Sequence, residues 1–351
     1  MLKKNRVLLI SVILLAILAV ILYLSNSTNT FSKNDSNFAI TDSSTVTRIF
    51  LTDKENNKVE LRKEGKGNWI VNNKYKASND QINFLLKTMI SLDAKTKVPK
   101  TEQDNVIRRM AAIGIKVEIY QTAYRIHISD KLKWFPYEKL SLVYYVGDAT
   151  KDNLGTYMLI QNAKHPYIVQ IKGFNGFLFT RYSTNEDDWK DHSIFNYRLT
   201  EIKTVTLEMP DAPDKSWTLE NPDNRNFKLY SLKDNKEIQN IDTLRVMEYL
   251  GSFANVKFEI FLNNMQSEIK DSIINSTPWH ILTITDINGK QTTIKTYRKK
   301  ANPGETDMAG NTVLWDRDRL YALVNDGKDF VMIQFFIFDR ILRSIDYFIK
   351  K

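Results

Sequence analysis

Past residue 38 the chain is a succession of short runs in which apolar and polar positions alternate, the pattern of half-buried strands. In "TVTRIFL" the apolar positions are Val46, Ile49 and Leu51; in "LTEIKTVTLE" they are Ile202, Val205 and Leu207. Helical spacing replaces the alternation twice. Ile82, Leu85, Leu86, Met89 and Leu92 fall on one face, as do Leu244, Met247, Leu250 and Phe253. Ser78 with Gln81 predicts a capping box at the first helix, and Asp242 a cap for the second.

The two halves repeat this order. "FAITDSSTVTRIFL" and "FNYRLTEIKTVTLE" each open on a phenylalanine, cross a polar turn and enter a strand. In the strands that follow, Trp69 answers to Phe227, and Val59 and Leu61 to Trp217 and Leu219. After the helix the first half continues "IKVEIYQ", "YRIHISD", "LSLVYYVGD", "TYMLIQ", "YIVQI". The second continues "WHILTITDINGKQTTIKTY", "TVLW", "LYALV", "FVMIQ", with Asn288-Gly289 as a hairpin turn. Phe174, Leu178, Phe179 and Tyr182 then answer to Ile337, Ile341, Leu342 and Ile345, predicting a closing helix in each half. The expectation is an α+β fold of two tandem homologous units, residues 38–194 and 195–351, each a mainly antiparallel sheet with one or two packed helices.

Before these units, residues 7–24 form an apolar run broken only by Ser11, behind Lys3, Lys4 and Arg6. A membrane-spanning helix needs about 20 apolar residues, and the run suits this better than the shorter core of a cleaved signal, for which Ser25-Asn26-Ser27 is the competing cleavage site. The reading is a cytoplasmic basic tail (1–6), a single N-terminal transmembrane helix acting as anchor (7–24) and a flexible polar linker (25–37), with the rest across the membrane.

The net charge of +9 is spread along the chain without a basic block, which gives no electrostatic footprint for nucleic acid. The chain has no cysteine, which excludes disulfides, thiol catalysis, cysteine-ligated metals and lipid attachment through a cysteine.

Few residues are spaced for chemistry. His127, His165, His192 and His280 are scattered and make no zinc motif. Glu186, Asp187, Asp188 and Asp191 cluster where acids support a helix start, and Asp316 and Asp318 alternate with Arg317 and Arg319 as a self-paired face. Ser267 and Lys270 match S-x-x-K, but none of the companion motifs of penicillin-recognising enzymes follows. No catalytic, cofactor-binding or metal-binding residue is assigned. "LRKEGKGNWIV", at 61–71, has the basic and glycine content of a phosphate loop. A strand follows it where such a loop requires a helix N-terminus, so it reads as a hairpin turn. Two features suit binding. Trp134, Phe135 and Tyr137 lie in an expected loop, "KLKWFPYEK", as core caps or as anchors for a partner. The tail "FDRILRSIDYFIKK" reads as an amphipathic helix for the core or a membrane surface.

The strand–turn–strand "VELRKEGKGNWIV", the following "YKASNDQINFLLKTMISLDAKTKV" and the junction "DDWKDHSIFNYRLTEIKTVTLE" resemble the bacterial DUF4340 family, a domain of unknown function. The junction departs from an arginine-rich version, reading Asp188-Trp189-Lys190-Asp191-His192. The resemblance implies a membrane-anchored or exported bacterial protein, of a kind not known as enzymes and often encoded beside ABC-transporter subunits of the gliding-motility type; with the anchor reading, the expectation is the bacterial inner membrane, with the C-terminal part in the periplasm and no enzymatic activity. The expected function is a non-enzymatic accessory or scaffold of an inner-membrane complex, without cofactor. The alternative is a module that binds an envelope glycan, peptidoglycan fragment or lipid between the two repeats.

Overall fold

The computed structural model describes residues 12–19, 35–65, 67–129, 132–262 and 264–350, and the side chains of 127–129 are outside that description. Residues 12–19 are helical and exposed. No helix among the described residues is long and apolar enough to cross a membrane. The basic tail at 1–6, the ends of the anchor at 7–11 and 20–24, and the linker at 25–34 lie outside the described residues. The rest is α+β, mostly antiparallel sheet with a few helices. It divides into two compact units between Asp191 and His192.

The N-terminal unit contains β1 (Val46–Thr52), β2 (Lys58–Glu64), β3 (Asn68–Val71), β4 (Tyr75–Lys76), α1 (Asn79–Ile90), β5 (Leu92–Lys97), α2 (Lys100–Ile113), β6 (Ile115–Ser129), β7 (Leu132–Ala149), β8 (Thr156–Ile160) and β9 (Tyr167–Ile171). They form one sheet in the order β4-β3-β2-β1-β6-β7-β8-β9-β5, antiparallel throughout. Strand alternation sorts its faces. Ile49, Leu51, Val59, Leu61, Val117, Ile119 and Tyr144 turn to one side and pack with Ile82, Leu85, Leu86 and Met89 of α1. On the other side, Val106 and Met110 of α2 pack with Tyr157. The same face carries an ionic ladder in which Arg48 meets Glu60 at 3.3 Å and Glu138 at 2.8 Å.

The C-terminal unit contains β10 (Ser193–Phe195), β11 (Ile202–Glu208), β12 (Trp217–Glu220), β13 (Lys228–Ser231), α3 (Thr243–Gly251), β14 (Val256–Lys257), β15 (Ile260–Phe261), α4 (Ser267–Ile274), β16 (His280–Asp286), β17 (Gln291–Lys300), β18 (Trp315–Val324), β19 (Asp329–Gln334) and the one-turn α5 (Phe335–Phe338). Its main sheet runs β13-β12-β11-β16-β17-β18-β19-β15, and β10 pairs with β14 apart from it. The core gathers Val205, Leu207, Trp217, Leu219, Leu282 and Ile284 against Val246, Tyr249 and Leu250 of α3. The opposite face carries threonine pairs, Thr206 with Thr218 at 3.0 Å and Thr283 with Thr293 at 2.9 Å, on its central strands.

Several expectations change. The core face of α3 is Val246, Tyr249, Leu250 and Phe253, whereas Leu244 and Met247 are exposed. The ring of Tyr249 decides this, because it packs on Trp217 and Phe348 and its hydroxyl donates to the Ile341 carbonyl at 2.9 Å. Asp242 does cap α3, accepting from the Leu244 and Arg245 amides, but Ser78 makes no side-chain cap for α1. The expected closing helices are short 3₁₀ turns, Phe179–Arg181 and Ile345–Phe348, with α5 a single turn. A 3₁₀ turn repeats every three residues, so it mimics helical apolar spacing. Leu178, Tyr182, Ile341, Leu342, Ile345 and Phe348 are buried, so the basic tail packs into the core. The helices α2 and α4 were not expected, and α2 buries only Val106 and Met110. Gly65 and Gly67 have φ of +60° and +85°, which makes "LRKEGKGNWIV" the β2–β3 hairpin.

Trp217 is fully buried between Tyr249 and Phe348, and its indole N–H donates to the Arg343 carbonyl at 2.9 Å. Trp217→Ala should cost about 3–5 kcal/mol in urea unfolding. A loss under about 1 kcal/mol would place this ring outside the core.

Candidate functional site

β6 and β7 together form an exposed arm. β1 reaches only Gln121 on β6, and β8 reaches only Tyr144 on β7. Beyond those points the two strands pair with each other alone, from Thr122↔Glu138 through Tyr124↔Pro136 and Ile126↔Trp134 to Ser129↔Leu132. The expected loop "KLKWFPYEK" is therefore strand from Leu132 onward. Neither neighbouring strand is long enough to cover the arm, so its side chains stay in solvent. Trp134 is 51% exposed, Phe135 65% and Tyr137 39%. They do not cap the core. Phe135 also holds φ at +57°, a left-handed conformation that strains a bulky residue.

The base of the arm is tied down. The Arg48 guanidinium lies 3.6 Å from the Tyr120 ring centroid and donates twice to Glu138, at 2.8 and 3.1 Å. Thr47 Oγ1 donates to the other Glu138 oxygen at 2.9 Å, and Gln121 Nε2 donates to Thr45 Oγ1 at 2.7 Å. Desolvation opposes ionisation of Glu138, but the Thr47 and Arg48 bonds prevail and hold its carboxyl below its usual range. Charge-assisted bonds to a guanidinium fixed by a ring orient the root of the arm.

The other residues singled out in the sequence do not converge on one site. Lys190 Nζ sits 2.7 Å from both Glu186 and Asp187, Lys76 pairs with Asp191 at 2.5 Å, and Ser183 bonds Asp188, so this acidic cluster locks a 3₁₀ turn (Glu186–Trp189). Asp316 pairs across the sheet with Lys299 at 2.7 Å, and Arg319 grips Glu259 at 2.8 and 2.9 Å. The ion pairs thus cross between strands and do not form among residues 316–319. His165 meets Gln103 at 3.1 Å, His192 stacks on Phe258 at 4.4 Å, and His127 falls on β6 with its side chain outside the described residues. Ser267 and Lys270 lie on α4. Among the described residues no group of acids and histidines is gathered as a metal would require.

The C-terminal unit has an open cavity of about 520 Å³, lined by Arg245, Trp279, His280, Phe335, Arg343 and Tyr347. The sequence did not indicate it, since these residues come from α3, β16 and the tail. Trp279 stacks near-parallel to Phe335 with centroids 6.1 Å apart, Arg298 lies 4.5 Å over Trp279, and Arg343 pairs with Asp339 at 3.0 Å. His280 is buried and bonds Thr296 Oγ1 at 3.0 Å. Burial, and then the Arg298 cation, lower its pKa from 6.5 to about 4.

A family described as "Domain of unknown function (DUF4340)" matches residues 69–273, more than half of the chain. No curated protein and no solved structure matches.

His280 should make stability depend on pH. Its folded pKa lies below its unfolded value, so the unfolded chain takes up the proton first. The stabilisation is complete above pH 6.5 and is lost as pH falls towards 4. Between pH 7 and pH 4, the stability advantage of wild type over His280→Asn in urea unfolding should shrink by about 3 kcal/mol. A pH-independent difference would mean that His280 is not desolvated.

Proposed function

The chain belongs to the DUF4340 family, a family of unknown function, and from that premise we propose that it is a non-enzymatic accessory or scaffold protein of an inner-membrane complex. In this reading residues 7–24 anchor it, residues 25–37 tether it, and the two α+β units stand in the periplasm. The apolar character of 7–24 behind Lys3, Lys4 and Arg6 supports the anchor. The resemblance to a family encoded beside ABC-transporter subunits of the gliding-motility type supports a transporter as the partner. We also infer that the two units arose by duplication. The eight-strand order β3-β2-β1-β6-β7-β8-β9-β5 recurs, connection for connection, as β13-β12-β11-β16-β17-β18-β19-β15, and supports that descent.

One observation carries the scaffold reading. The strands that correspond to β6 and β7 are β16 and β17, and they close at the tight Asn288-Gly289 turn, where Gly289 has φ of +81° and Asp286 Oδ1 accepts from the Asn288 and Lys290 amides. The same fold is therefore complete without an arm. Extending the hairpin in one unit only, and placing Trp134, Phe135 and Tyr137 in solvent along it, adds aromatic area that no core uses. Aromatic residues of this kind anchor protein interfaces.

A photoreactive residue at position 135 in native membranes should cross-link to an inner-membrane protein. The triple variant W134A/F135A/Y137A should keep its unfolding midpoint within about 2 °C and lose the partner captured by a second probe at position 132. Failure to recover any membrane protein, or a triple variant that retains its partner, would contradict the proposal.

A further inference from the structure

A second surface lies in the N-terminal unit, apart from the arm and independent of it. Arg181, in the 3₁₀ turn Phe179–Arg181, has its guanidinium over two rings, 4.4 Å from the centroid of Phe84 and 4.5 Å from that of Phe174. Its Nη1 donates to Thr88 Oγ1 at 2.9 Å, and that hydroxyl donates in turn to the Phe84 carbonyl at 2.9 Å. No acid pairs with Arg181 among the described residues. By contrast, Arg48, Arg109, Lys116 and Lys190 of the same unit each hold a carboxylate.

This is an unusual state for an arginine. Burial lowers its pKa, which measures the cost of holding the cation where water is partly excluded. Two rings crowd the guanidinium, and its hydrogen bonds run along its in-plane edge. That edge presents five N–H donors, and Thr88 engages one nitrogen. A carboxylate is the acceptor that fits such an edge, because two oxygens meet two parallel N–H groups. The rim is apolar and in solvent: Phe84 is 46% exposed, Phe174 37% and Phe177, on the same segment, 38%. Arginine among exposed aromatic rings is the composition of an interface hot spot.

We propose that Phe84, Phe174, Phe177 and Arg181 form a docking surface for a segment of a partner protein that carries an Asp or Glu side chain flanked by apolar residues. The carboxylate completes the Arg181 edge, and its apolar neighbours cover the exposed rings. Two exposed rings beside one cation, with Phe177 near them in sequence, suit a protein segment more than a small free acid.

The test is a peptide array of Asp- or Glu-containing sequences flanked by Leu and Phe, each beside its Asn or Gln twin, probed with the detergent-solubilised full chain. Wild type should retain the acidic peptides about tenfold more strongly than their amide twins. Arg181→Gln should bring the two within about twofold, with circular dichroism reporting an intact fold. Should that variant unfold, Arg181→Lys decides, because it keeps the charge but loses the planar edge and should retain only part of the preference. Equal retention of acidic and amide peptides by wild type would overturn the proposal, as would a preference that survives both substitutions unchanged.

Discussion

In both sheets the central strands, β1 beside β6 and β11 beside β16, send alternate side chains to a face closed by one main helix. The rest of the structure depends on this one-sided burial. A slip of one residue in either pairing would turn Ile49 and Leu51, or Val205 and Leu207, to the wet side and expose the core row. Such a sheet is long enough to be stable only with a dry face, and α1 and α3 supply it. Phe38, Tyr182 and Trp189 in the first unit, and Phe338, Ile341 and Phe348 in the second, fill what the helix leaves uncovered.

Because the dry face satisfies the fold, the other face and the edges are free to vary between the units. Beside the central strands one carries an ionic ladder and the other threonine pairs, and both are compatible with the same strand order. The features on which the proposed function and the docking surface rest occur where this freedom is used: the hairpin that outruns its neighbours, and the arginine held over two rings without a carboxylate. Neither contributes buried apolar area comparable to the core rows. The fold itself does not account for this exposed aromatic surface, which the proposed partners would cover.

Period-two alternation made the strands legible. Ile49 and Leu51, and Val205 and Leu207, are buried as their spacing implies, whereas Val46 and Ile202, three residues before Ile49 and Val205, are buried beyond a shift in strand register. The α1 face was equally readable, since Ile82, Leu85, Leu86 and Met89 are all apolar and buried, while Phe84 falls outside that period and is exposed. Where a helix carries apolar residues on more than one face, spacing alone misjudges it. Leu244 and Met247 match the period of α3, but the larger Tyr249 takes the core. The α2 helix was hidden because only Val106 and Met110 mark its buried side, with Pro99 before it as the remaining sign of a helix start. The aromatic triplet of the arm was visible as composition, but its exposure was not. Exposure there follows from how far β1 and β8 extend, which is a property of pairing and not of the segment. Arg181 left no sequence signal, since its ring partners lie on α1 and on a separate turn.

The central claim is that the arm is an interface. The most direct measurement is backbone hydrogen exchange over residues 122–140, compared between the protein in native membranes and the same protein purified in detergent. Solvent-facing amides of an arm seated on a partner should exchange at least about tenfold more slowly in the membrane, while those of the β11–β12 core remain unchanged. Identical exchange of the arm in both settings would contradict the account.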